Sequence, residues 1–137
     1  MKPFYVLILA GLLPVFAWAE SPAPGSAINL ADLLYFKRPV IVFADSPADP
    51  AFIRQLDLLS RDPDALAVRD VIVITDTDPA TPSAIRLKLR PRGFALVLID
   101  KDGKTTLRKP LPWDVREITR AIDKFPSRRE ESLQRNP

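Results

Sequence analysis

The chain has 137 residues, 47% of them apolar, and a formal charge of +3, which is one domain's worth of material. It contains no cysteine and no histidine, so thiol redox chemistry, Cys-His and Ser-His-Asp catalysis and ordinary zinc sites are excluded. The basic runs at 86–92 and 128–135 are weak grounds for a nucleic-acid partner and read as solvated faces.

In chain order, "MKPFYVLILAGLLPVFAWAE" pairs one cation, Lys2, with an apolar run that closes on Ala17-Trp18-Ala19. This is the pattern of a secretory signal peptide over residues 1–19, cut between Ala19 and Glu20. The run is shorter than the ~20 residues that span a bilayer, so no stable membrane anchor is expected after cleavage. A lipid anchor on cysteine is ruled out, and the mature chain is expected in a bacterial periplasm or secreted.

Residues 20–28, "ESPAPGSAI" with Asn29 following, lack an apolar period and are expected to be a disordered linker. A domain over 29–126 follows. Asn29 caps a short helix through "LADLLYF", and "VIVF" at 40–43 is a run suited to a strand buried on both faces. Asp49-Pro50 then opens a helix with Phe52, Ile53, Leu56 and Leu59 at helical spacing. Asp62-Pro63 interrupts it, and "VIVI" at 71–74 is a second apolar strand. Thr81-Pro82 is expected to open a helix carrying Ile85, Leu87 and Leu89.

The remaining domain reads as a hairpin and a helix. "FALVLID" at 94–100 is a strand, Asp102-Gly103 the turn, and "TTLRKP" the return. Pro112 opens a last helix with Val115, Ile118, Ile122 and Phe125 on one stripe. Residues 127–137 carry almost no apolar side chain and are expected to be a flexible charged tail. Helices between the first three strands imply parallel crossovers, with the hairpin adding an antiparallel edge. The expected architecture is α/β and thioredoxin-like: a mixed four-stranded sheet with helices on both faces.

Four segments, "KRPVIVFA" (37–44), "LAVRDVIVI" (66–74), "GFALVLIDKDGKTTLR" (93–108) and "EITRAIDKFPSRREE" (117–131), together resemble the family known as domain of unknown function 4174. This thioredoxin-like group occurs in exported bacterial proteins and, in related form, in vertebrate extracellular matrix proteins. The resemblance implies fold and export, and supplies no catalytic residues. Members commonly place methionines around the proline near the end, where this chain has Phe125 and Ser127, so a Met-rich surface is not implied here.

In open α/β sheets ligands tend to lie beyond the carboxyl ends of the strands. Asp45 and Asp49 follow the first strand here, and Asp76 and Asp78 the second. If the strands are neighbours, these carboxylates form a corner suited to weak Mg²⁺ or Ca²⁺ binding, or to acid-base work. The competing reading makes Asp49 a helix cap and the others turn residues. Ser46 lies where a nucleophile would sit, but with no histidine and no Ser-x-x-Lys pattern it reads as a turn residue. Ahead of the third strand, Arg92-Gly93-Phe94 lacks the proline a thioredoxin needs, and Gly93 is read as a backbone-geometry residue. Trp113 with residues 125–129 offers an aromatic-basic patch, or else Trp113 staples the last helix to the sheet.

The function expected is a non-catalytic binding or adaptor module, with no cofactor and a protein or envelope component as partner. The alternative is an enzyme or hard-cation site at Asp45, Ser46, Asp49, Asp76 and Asp78.

Overall fold

The structure, a computed structural model, describes residues 21–136, so the expected signal peptide lies outside the described residues. A mixed sheet in the order β1-β3-β2-β4-β5 is built from β1 (Ala23–Pro24), β2 (Arg38–Phe43), β3 (Val71–Asp76), β4 (Ala95–Ile99) and β5 (Thr105–Lys109). The helices are α1 (Pro50–Ser60), α2 (Pro63–Ala67), α3 (Ala84–Leu89), α4 (Val115–Ile122) and α5 (Pro126–Arg135). Among the described residues no helix is long and apolar enough to cross a membrane.

Every residue of β2 is buried, which is why its run from Val40 to Phe43 is apolar without alternation. Val40 and Val42 face one side, packing with Phe52 and Leu59 of α1 and Ile118 and Ile122 of α4. Ile41 and Phe43 face the other, against Ile85 and Leu89 of α3 and the partly buried Leu30 and Leu33. Pro39 sits inside this central strand without a broken bond. Arg38 donates its N–H to Asp70 on the β3 side, so the nitrogen of Pro39 points to the β4 side, where pairing begins only at Val40 with Leu98.

The chain-order reading holds for β2, β3, the Asp102-Gly103 hairpin and α1, whose cap Asp49 accepts from Ala51 N at 2.8 Å. Asn29 likewise caps a short 3-10 turn, Leu30–Leu33. Five expectations are corrected. Residues 23–24 pair in parallel with Ile74 and Thr75 of β3, so the stretch expected as a linker supplies a fifth strand. Gly25 follows it, where a Cβ would lie 3.3 Å from the Asp76 side chain, so the chain passes too close for a larger residue to fit freely.

β4 is antiparallel to β2, not parallel. The connection to it, residues 77–94, holds only the six-residue α3, and the chain enters β4 at the end where β3 leaves. That helix is capped by Ser83, whose Oγ accepts from Arg86 N, not by Thr81. Similarly, α4 starts at a capping box of Asp114 and Glu117 rather than at Pro112.

The fifth correction is the tail. Residues 126–135 form α5. It buries no apolar side chain, so apolar periodicity is blind to it, and polar contacts hold it down (below).

Candidate functional site

β2 and β3 are parallel neighbours, with Phe43 opposite Asp76, so the loops after them do meet at one end of the sheet. The carboxylates there do not converge. Asp45 is exposed, and Ser46 Oγ accepts from Ala48 N at 3.1 Å, closing the loop on itself. Asp49 is spent on the cap of α1, and Asp78, also exposed, accepts from Thr81 N at 3.2 Å. Among the described residues no group of three acidic or other ligating side chains is arranged to hold a metal ion.

Asp76 alone is buried, and its partner is a cation. Arg86 reaches from α3, placing Nε 3.0 Å and Nη2 2.9 Å from Asp76 Oδ1. The same Nη2 donates to the carbonyls of Ala44 and Asp76, and the guanidinium lies over the Phe43 ring at 5.5 Å. Ser83 Oγ donates to Asp76 Oδ2. Arg86 therefore ties the end of β2, the end of β3 and the start of α3 together. Sequence reading placed it in a solvated basic run; the clue was its position beside Ile85 on the buried stripe of α3.

The opposite end of the sheet holds a larger ionic cluster. Arg38, at the start of β2, is fully buried. Its Nε donates to Asp100 Oδ1 at 3.2 Å, Nη1 to Arg69 O at 2.7 Å, and Nη2 to Ser127 Oγ at 2.7 Å and Glu131 Oε1 at 2.9 Å. Ser127 Oγ in turn donates to Asp100. Lys101 bridges Asp70 and Glu131, each at 2.7 Å, while Arg69 forms a two-pronged pair with Asp123 at 2.8 and 3.0 Å.

These contacts set the protonation of the cluster. Burial would raise the carboxyl of Glu131, but hydrogen bonds from Lys101 and Arg38 and their charges outweigh it and bring its pKa down to about 2. Burial pulls Lys101 down, and its bonds to Asp70 and Glu131 more than reverse that, leaving it raised. The hydrogen bond to Asp123 raises Arg69, and the reciprocal bond lowers Asp123.

A carboxyl depressed in the folded state contributes stability above its unfolded pKa, and that contribution fades as pH falls through the folded value. Acid is therefore expected to loosen α5 between about pH 4.5 and about pH 2. With a quarter of the Glu131 side chain exposed, screening limits the loss to on the order of 2 kcal/mol. Denaturant midpoints against pH measure it, and Glu131→Gln should flatten the dependence; an unchanged slope would refute the assignment.

Elsewhere, Gly93 has φ +59, as its backbone role requires. Gln55 donates to Trp113 O at 2.7 Å and accepts from Trp113 N at 2.9 Å, and the ring packs on the core ahead of α4. Phe125 is buried, so the aromatic-basic patch does not form. An apolar cavity of about 140 Å³ lies between Leu30, Leu34 and Ile99, and Asp100, the one carboxylate in its wall, is already held by Arg38.

A family model described as "Domain of unknown function (DUF4174)" matches residues 29–131. The chain belongs to this family. The DUF4174 match runs through all of the Arg38 cluster, up to Glu131. No curated protein matches the chain. Solved structures similar to it include the reduced 2-Cys peroxiredoxin of Plasmodium vivax, 17% identical with a TM-score of 0.59, covering 77% of this chain and 85% of that one. Thioredoxin peroxidase I of Plasmodium yoelii is 17% identical with a TM-score of 0.52, covering 75% and 80% of the two chains. Prx1a of Plasmodium yoelii, modified at its N-terminus, is 20% identical with a TM-score of 0.53, covering 75% and 81%. At such identities the likeness is one of fold. This DUF4174 domain has a thioredoxin-like fold and no cysteine.

Proposed function

We propose that the protein is an exported, non-catalytic binding module of the cell envelope, with a protein or envelope component as its partner. One observation carries this reading. Where the fold class holds its ligands, each polar side chain described above serves its own backbone or the burial of Asp76. Chemistry needs a group left free to change its bonding partner; of the carboxylates at that corner Asp45 is the one left exposed and unbonded, and among the described residues no group of ligating side chains is arranged around it. Export rests on the first nineteen residues, whose charge, apolar run and Ala17-Trp18-Ala19 ending fit a cleaved signal.

Two measurements test it. Cell fractionation with N-terminal sequencing should find the chain beginning at Glu20 outside the cytoplasm; an intact Met1 in the cytoplasm overturns export. Asp45→Asn and Asp78→Asn should each change stability by no more than about 0.5 kcal/mol, as surface substitutions do. Millimolar Mg²⁺ or Ca²⁺ should leave the thermal midpoint where it is. A cation-dependent rise that Asp45→Asn removes would instead establish the hard-cation corner.

A further inference from the structure

An open cleft of about 460 Å³ lies at the β5 edge of the sheet, lined by Leu89, Arg90, Arg92, Phe94, Arg108 and Pro110 among others. We propose that it binds a phosphate group, as pyrophosphate or a phosphate ester, clasped by Arg90, Arg92 and Arg108. The inference deepens the binding reading above by naming a ligand class, and it does not depend on export.

Three features support it. Arg90, Arg92 and Arg108 are all exposed, no acidic residue lines the cleft, and among the described residues none of the three pairs with a carboxylate. Arg38, Arg61, Arg69, Arg86 and Arg128 are paired with carboxylates, whereas this cleft brings three unpaired arginines to one place. Three guanidiniums left together repel one another, and one multiply charged anion relieves that repulsion through forked hydrogen bonds. Arg108 is already oriented, because Nη1 donates to Leu89 O at 2.6 Å and its remaining N–H groups stay free.

Arg90 supplies the second feature. It ends α3 in the left-handed conformation, φ 48 and ψ 59, where glycine or asparagine costs less. An arginine kept in a strained backbone position at the lip of a cleft calls for a function of its side chain. The third is apolar: Phe94 and Pro110 give a ligand's uncharged flank a surface to rest on. Protection of the sheet edge accounts for cations on β5, but not for Arg90 and Arg92, which belong to no strand.

Calorimetric titration of residues 20–137 with pyrophosphate at low salt tests the proposal. Binding is expected, weakened about tenfold or more by Arg92→Ala and by Arg90→Gly. Arg90→Gly should leave the thermal midpoint equal or higher, which separates loss of ligand from loss of fold. Arg116→Ala, at an exposed arginine of α4 outside the cleft, should bind as the unaltered protein does. Cosedimentation with phosphatidylglycerol vesicles, against phosphatidylcholine, distinguishes the source: binding there marks a lipid headgroup, and binding of pyrophosphate alone marks a soluble phosphate. Failure of both probes, or an equal loss in Arg116→Ala, overturns the cleft while leaving the binding-module reading to its own tests.

Discussion

Arg38→Met is expected to cost the fold about 3–5 kcal/mol, the usual effect of breaking a buried ion pair from one side. The methionine matches the aliphatic stem but leaves Asp100, itself buried, and the half-buried Glu131 without their shared cation. It also orphans the Arg69 carbonyl and takes from the Ser127 hydroxyl one of its two partners, leaving it on Asp100 alone. Urea unfolding monitored by circular dichroism reads the loss as a lower midpoint. Adding Asp100→Asn to that variant should recover part of it, because a buried amide is less costly than a buried unpaired carboxylate. A single-variant loss below about 1 kcal/mol would mean that the cluster is held weakly and water replaces the guanidinium at little cost.

At the other end of the sheet, Asp76→Asn is expected to destabilise by about 3 kcal/mol or more, since it strands the buried Arg86 charge. The amide keeps the shape of the carboxylate, so a loss of that size is electrostatic and not a cavity. Arg86→Met on its own should cost a similar amount. The pair Asp76→Leu with Arg86→Met should cost less than the sum of the two single changes, as coupled residues do. Strict additivity in that double-mutant cycle would show that Asp76 and Arg86 stabilise through separate contacts. Neither variant touches the basic cleft, so pyrophosphate binding by the folded fraction is expected to persist.

Much of this fold could be read from the chain because local rules and tertiary packing agree. Asp49-Pro50 marks a helix start whatever lies around it, and the Asp102-Gly103 turn fixes a hairpin. The runs at 40–43 and 71–74 announce strands in the middle of the sheet. What escaped has no local signature. Two residues, Ala23 and Pro24, make an edge strand through backbone pairing alone. α5 docks through Ser127, Arg128 and Glu131, whose partners lie up to 93 residues away. The acidic corner looked like a site because sequence shows which strand ends carry carboxylates but not what each one bonds. Arg86 bonds Asp76 from ten residues downstream. The opposite fate of neighbouring arginines, Arg86 inside and Arg90 and Arg92 outside, is decided by where the helix stops: Arg90 shares the face of Arg86 in sequence, but it leaves the helix in the left-handed conformation.

The reach of the Arg38 contacts also orders events in time. A chain emerging from the ribosome presents Arg38 long before Ser127 and Glu131, which lie 89 and 93 residues later. Until those residues arrive, Arg38 at the start of the central strand has Asp100 and the Arg69 carbonyl but lacks two of its four partners, so the sheet closes on an incomplete set of bonds. The C-terminal helix thereby completes the fold: a truncation before Ser127 should lower the unfolding midpoint even though every described strand of the sheet is present in it.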